Sequence, residues 1–235
     1  MANPFKKASK ESGTWARMLM AGPSGTGKTY SALQVASTLG KVGLIDPEFG
    51  SAKKYGDKFQ FDCVELYGGY TTEALIENIN AAVENKYSAL IIDSFSHFWE
   101  GDGGILEFVD IEKAGEAKNN MNAWGKASPK WRQQIAAMLR APIHLIVTCR
   151  TKNAVDASNV NGRMQVKSVG TKVVQREGFE YEMDLCLNFR IEDGLNLCHI
   201  EKTRCSDLHG QTFKNLNAEH LMPYFKWLGI ISETK

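Results

Sequence analysis

The chain has 235 residues, 43% of them hydrophobic, enough for one α/β domain with a buried sheet. No stretch approaches the eighteen apolar residues of a membrane span, and the basic N-terminus lacks the apolar segment of a signal peptide. Five scattered cysteines (63, 149, 186, 198, 205) form no C-x-x-C, which excludes a zinc knuckle and points to reduced thiols in a cytoplasm. The formal charge of +1 neither announces nor excludes nucleic acid, so any basic surface must be local.

In chain order, residues 1–14 read as an N-terminal arm and 15–235 as a single domain. An apolar strand at 18–21 leads into a glycine-rich loop at 22–29. The helix after it runs to residue 39, with Leu33, Ala36 and Leu39 on one face. Short strands follow at 42–46 and 63–67, then a helix at 71–85 carrying Leu75, Ile79 and Ala82 at helical spacing. Residues 89–93 read as a fully buried strand beside the first one, ending in Asp93. The stretch 95–126 is irregular apart from a helix at 105–114. Ser128-Pro129 looks like a helix start, an N-cap followed by proline at the first helical position. Residues 143–148 are the next buried strand, and 151–176 read as a long loop. Strands at 184–190 and 195–202, joined through Glu192-Asp193-Gly194, predict a C-terminal β-hairpin, and a helix at 218–228 closes the chain. The alternation predicts a mostly parallel twisted sheet flanked by helices.

Gly22-Pro23-Ser24-Gly25-Thr26-Gly27-Lys28-Thr29 matches G-x-x-x-x-G-K-[ST], a phosphate-binding loop. Its glycines let successive N–H groups turn inward on phosphate oxygens. Lys28 can reach the β and γ phosphates, and the Thr29 hydroxyl can ligate Mg²⁺; Tyr30 follows directly and is counted with the nucleotide site. Asp93, at the end of an apolar strand, is the second Mg²⁺ group. Cleaving ATP also needs a carboxylate that orients water. Ser94 occupies the place where AAA+ ATPases carry that glutamate, so Glu48, just past the second strand, is the candidate. No [NT]-K-x-D guanine motif occurs, which disfavours a GTPase.

The order of loop, Ile45-Asp46-Pro47-Glu48 and Ile91-Ile92-Asp93-Ser94 resembles the RecA-like P-loop ATPases. That resemblance implies a RecA-like core, a catalytic role for Glu48 and an adenine contact from Tyr55. It implies a γ-phosphate sensor at Thr148 or Arg150, where the family usually carries Gln or Asn. Lys202 and Arg204 look like the paired cations that reach a neighbouring subunit's ATP, and Phe5-x-x-Ala8 is similar to a docking motif between protomers. The compact length is similar to small phage-encoded ATPases of recombination and single-strand annealing. Such a protein forms a homo-oligomer on single-stranded DNA, alongside a single-strand-binding protein, in a bacterial host's cytoplasm.

Between residues 150 and 176 the cations Arg150, Lys152, Arg163, Lys167, Lys172 and Arg176 face a single acid, Asp156. Such a segment can follow a phosphate backbone, and its affinity falls with salt. Phe95, Phe98, Trp99 and Trp124 are candidate stacking platforms, or simply core. A helicase or helicase loader, a nucleotide-gated assembly switch that binds no DNA, and a small-molecule kinase stay open as alternatives.

Overall fold

The computed structural model describes Phe5 and residues 14–115, 117, 119–160 and 163–231, except for the side chains of 155–169. The predicted N-terminal arm, Ala8 included, lies outside the described residues apart from Phe5 and residue 14.

Eight strands form one sheet: β1 (Arg17–Ala21), β2 (Val42–Asp46), β3 (Asp62–Glu65), β4 (Ala89–Ile92), β5 (His144–Cys149), β8 (Leu185–Glu192), β9 (Leu195–Thr203) and β10 (Thr212–Lys214). Their order is β10-β9-β8-β1-β5-β4-β2-β3, parallel from β8 to β3 and antiparallel at the β9–β10 edge. Both faces are covered, which is why the central strands read as unbroken apolar runs. Met18, Met20, Ile91 and Ile146 face α1 (Lys28–Ala36) and α6 (Met222–Leu228). Leu19, Leu90, Leu145 and Val147 face α2 (Thr72–Glu84), the short α3 (His97–Glu100), α4 (Ile105–Ala114) and α5 (Asn120–Arg140). This is the expected RecA-like architecture, late hairpin included. Asp193 (φ 51) and Gly194 (φ 73) turn that hairpin, as a two-residue type I′ connection requires.

Three expectations are corrected. The strand ending at Asp93 is not beside β1, because β5 pairs with both and separates them. Parallel apolar runs carry no mark of their lateral order, and the consequence is chemical: Asp93 meets the side chains at the end of β5.

Ser128-Pro129 does not open a helix, since α5 runs from Asn120 to Arg140 with Pro129 inside it. The Asn119 side chain caps that helix by accepting the Asn122 amide at 2.8 Å. Ala123, Ala127, Trp131, Ile135 and Met138 make one continuous buried stripe through the proline. Burying that stripe outweighs the ~3 kcal/mol of an interior proline.

Residues 151–176 are not a loop. They contain β6 (Thr151–Val160) and β7 (Arg163–Val173), antiparallel partners in their own two-stranded sheet, from Thr151↔Val173 to Val160↔Arg163. The sequence signal was the Asn161-Gly162 dipeptide between Val160 and Arg163, a strong two-residue hairpin mark.

Arg17 locks the base of the sheet. Its buried guanidinium donates to the carbonyls of Ala16, Leu139, Ala141 and Ile143, joining the start of β1 to the end of α5. Beside it, His144 Nδ1 accepts the Ala16 amide at 3.1 Å, a bond only the neutral ring can accept through that atom. Burial, with Arg17 nearby, holds the imidazole pKa down at about 4, against an ordinary 6.5. The unfolded chain therefore takes up a proton first. The associated stability is complete above about pH 6.5 and is lost as pH falls towards about 4. The urea midpoint of the wild type is expected to drop between pH 7 and pH 5 by more than that of His144→Gln; parallel drops would contradict this role.

Candidate functional site

At the carboxyl edge of the parallel strands the chain builds a phosphate cradle. The Gly22 amide donates to Cys149 O at 3.2 Å, which anchors the loop to β5. Gly22 is required sterically, because a Cβ there would stand 2.5 Å from Phe189 O and 2.8 Å from Phe189 Cβ. Gly25 (φ 79) and Gly27 (φ 86) turn the loop through left-handed conformations. The Thr26 hydroxyl donates to Pro23 O at 2.8 Å and braces the curve. α1 then starts with no side-chain cap at Gly27, so its first amides are left for an anion.

Lys28 is curled into the cradle, its ammonium donating to Gly22 O and Pro23 O at 2.8 Å each. Burial lowers its pKa, opposed by the charges of Asp93 and Glu48. Thr29 opens the first turn of α1 towards Asp93. Asp93 is 3% exposed, with Oδ1 accepting the Thr148 hydroxyl and the Thr29 hydroxyl close to the carboxylate. Burial pushes its pKa up, against the opposing influence of the Thr148 and Thr29 hydroxyls. Its Oδ2 has no hydrogen-bond partner among the described residues. A buried carboxylate oxygen of this kind beside a threonine hydroxyl suits a hard divalent cation, and Mg²⁺ fits the donor set.

Glu48 enters from a loop wound on a single side chain. Asp46, fully buried, accepts the Glu48 amide at 2.6 Å and the Ala52 amide at 3.0 Å. The Glu48 carboxylate meets Arg150, whose Nε and Nη2 both donate to Oε1, at 3.2 and 2.7 Å. Of the two sensor candidates, Thr148 is fully buried with its hydroxyl spent on Asp93, whereas Arg150 lines the cavity.

The cavity has a volume of about 920 Å³. Loop residues 24–29, Tyr30, Glu48, Tyr55, Asp93 and Arg150 all line it, so the nucleotide candidates converge. Tyr30 and Tyr55 meet edge to face at 5.9 Å and form an aromatic end wall. The sequence reading missed the opposite wall, formed by Asn196 at the start of β9 and by Asn215 and Asn217 after β10. The Asn215 amide donates to Asn196 O at 2.9 Å. Isolated asparagines in a late hairpin carry no motif, and only the pairing of β9 with β10 brings them to the cavity.

Other candidates stand elsewhere. Lys202 donates to the carbonyls of Glu180, Tyr181 and Met183 at 2.8, 3.0 and 2.6 Å. Arg204 lies 3.9 Å from Asp184 with its side chain 67% exposed. Neither lines the cavity of its own chain. Lys152 and Lys172 are exposed on the hairpin, Lys172 being paired with Glu177 at 3.2 Å. Arg176 packs over the rings of Trp131 and Trp124, at 5.0 and 5.9 Å. The side chains of Arg163 and Lys167 lie outside the described residues. Phe95 and Phe98 are fully buried, and Trp99 and Trp124 pack on the core, so these four are core residues. Cys149 is buried and its thiol pKa is pushed up by burial, as befits an inert thiol.

Replacing Gly22 with Ala is expected to cost about 1–3 kcal/mol, because the clash is with backbone and a Cβ rather than a flexible side-chain end. Thermal unfolding measures the cost. A Gly22→Ala chain with wild-type stability and nucleotide affinity would contradict the close approach.

Among solved structures, a KaiC-like protein from the hyperthermophilic archaeon Pyrococcus horikoshii aligns over 84% of this chain and 84% of its own, with 14% identity and a TM-score of 0.46. No curated protein sequence matches significantly. A family model described as an AAA domain, AAA_24, matches residues 14–209. The AAA description stands although Ser94, not a glutamate, follows Asp93; the carboxylates that line the cavity are Asp93 and Glu48. The chain belongs to this AAA_24 family, and its fold is that of a RecA-like P-loop ATPase.

Proposed function

We propose that this chain is a Mg²⁺-dependent ATPase that binds single-stranded DNA and assembles with copies of itself, acting in recombination or single-strand annealing. The observation that carries the reading is one cavity shared by Lys28, Thr29, Asp93 and Glu48, with Arg150 at its rim leading directly into the basic β6–β7 hairpin.

In this reading the loop amides and Lys28 hold the phosphates, with Lys28 exchanging the Gly22 and Pro23 carbonyls for phosphate oxygens. Thr29 and Asp93 hold Mg²⁺, which when bound supplies charge neutralisation to the β and γ phosphates. Tyr30 and Tyr55 receive the base. Glu48 orients water: both bonds from Arg150 end on Oε1, which leaves Oε2 to accept the water's proton. Arg150 would carry its charge to the phosphates, where it offsets the negative charge that passes to the leaving oxygen as its bond to the γ-phosphorus breaks.

Assembly supplies the remaining cation. Lys202 pairs with Cys186 and lies away from the loop end of β1, where Asn188 pairs with Ala21. A contribution from this strand to an ATP site therefore requires head-to-tail packing of copies. With Lys202 held by three carbonyls, Arg204 is the residue available for it.

Lys28→Ala and Glu48→Gln are each expected to reduce ATP hydrolysis by about a hundredfold or more, with ATP affinity kept only in Glu48→Gln. Turnover at the wild-type rate by Glu48→Gln would remove Glu48 from the mechanism. A labelled single-stranded oligonucleotide, titrated with ATP and Mg²⁺, is expected to bind more weakly as salt rises. Absence of binding at low salt would replace the DNA reading with a nucleotide-gated switch.

A further inference from the structure

Two exposed rings stand beside Glu48. Phe49 and Tyr67 are each 69% exposed, with ring centroids 5.9 Å apart. Both are held from beneath. Phe49 sits at φ 55, a conformation that is costly for a bulky side chain, in the loop wound on Asp46. The Tyr70 hydroxyl donates to Pro47 O at 3.1 Å and ties the loop after β3 to the loop after β2. The Tyr67 hydroxyl bonds Glu65, which is itself paired with Lys53. The fold thus spends backbone conformational energy at Phe49 and leaves two neighbouring aromatic faces in water, an arrangement that suits a ligand with aromatic faces of its own.

The charge beside the rings indicates which ligand. The Glu48–Arg150 bridge connects the Phe49 loop to the root of the hairpin. Two residues beyond Arg150, Lys152 stands directly across from Lys172, and both are exposed. Lys172 also reaches Glu177 at 3.2 Å, an exposed pair that a polyanion's phosphates can replace, so both lysines are open to phosphate contact. Exposed Lys53 and Lys54 follow Phe49 on its other side. Stacking faces set among cations complement the bases and phosphates of a single strand.

We propose that Phe49 and Tyr67 form a base-stacking platform for a single-stranded nucleic acid whose phosphates lie along Lys152 and Lys172. This rests on the single-strand reading above and adds to it the residues that hold the bases. Occupancy of the platform places the strand against the loop that carries Glu48.

The test compares an oligo-dT with an abasic strand of equal length, bound to the full chain over a range of salt concentrations with ATP and Mg²⁺ present. Phe49→Leu/Tyr67→Leu is expected to bind oligo-dT about tenfold or more weakly with an unchanged salt slope, and the wild type is expected to lose as much on the abasic strand. Lys152→Gln/Lys172→Gln is expected to lower the slope by about 1.4. Thermal unfolding checks the fold, and Tyr67→Leu alone provides a milder variant. Equal affinity of wild type and ring variant for oligo-dT overturns the platform and leaves the hairpin reading intact. No binding of any oligonucleotide by the wild type overturns both. Loss of affinity that accompanies loss of self-association measured without nucleic acid overturns the platform and assigns the rings to a contact between copies.

Discussion

A carboxylate buried at 3% exposure is the constraint around which this molecule is arranged. Removing an ionised group from water is costly unless hydrogen bonds or a cation replace the lost hydration. Asp93 has the Thr148 hydroxyl bonded to it, the Thr29 hydroxyl close by, and an oxygen left over. Each hydroxyl comes from a different element. Thr148 is delivered by β5, the strand between β4 and β1, and Thr29 by the first turn of α1. The insertion of β5 thus gives Asp93 a partner and keeps one strand's width between it and the phosphate loop. The cradle, the buried carboxylate and the strand order are one design.

The second charged centre is built differently. Asp46 spends its carboxylate on backbone amides, which fixes the loop that presents Glu48, while Glu48 itself stays partly exposed and bonded to Arg150. One acid shapes the loop, and the other reaches into the cavity. Arg150 joins this centre to the hairpin, so a residue that lines the cavity also begins the segment richest in cations. That continuity is the physical basis for linking nucleotide chemistry to a polyanionic ligand.

How much of this was legible in the sequence depends on whether the information is local. The phosphate loop, the buried strands, the helix at Ile105–Ala114 and the late hairpin were legible because periodicity and turn chemistry act within a few residues. Glu48 and Asp93 were legible as acids at strand ends. Lateral strand order was not, since parallel apolar runs look alike, and with it went the bond from Thr148 to Asp93. Pro129 misled because its local preference was overridden by a buried stripe running the length of α5. At 151–176 the Asn161-Gly162 mark stands in a stretch with neither helical nor strand period, which reads as a loop. The asparagine wall and the exposed rings of Phe49 and Tyr67 depend on which loops the sheet brings together, a fact of tertiary structure alone.

The most direct test of this arrangement is the Mg²⁺ affinity of the ADP-bound protein, measured calorimetrically for the wild type and for Asp93→Asn. The substitution keeps the shape of the side chain and removes its charge. The account predicts that Mg²⁺ binding weakens by about tenfold or more in Asp93→Asn, while metal-free ADP binds as well as to the wild type. Unchanged Mg²⁺ affinity in the variant would contradict the central role given to this buried carboxylate.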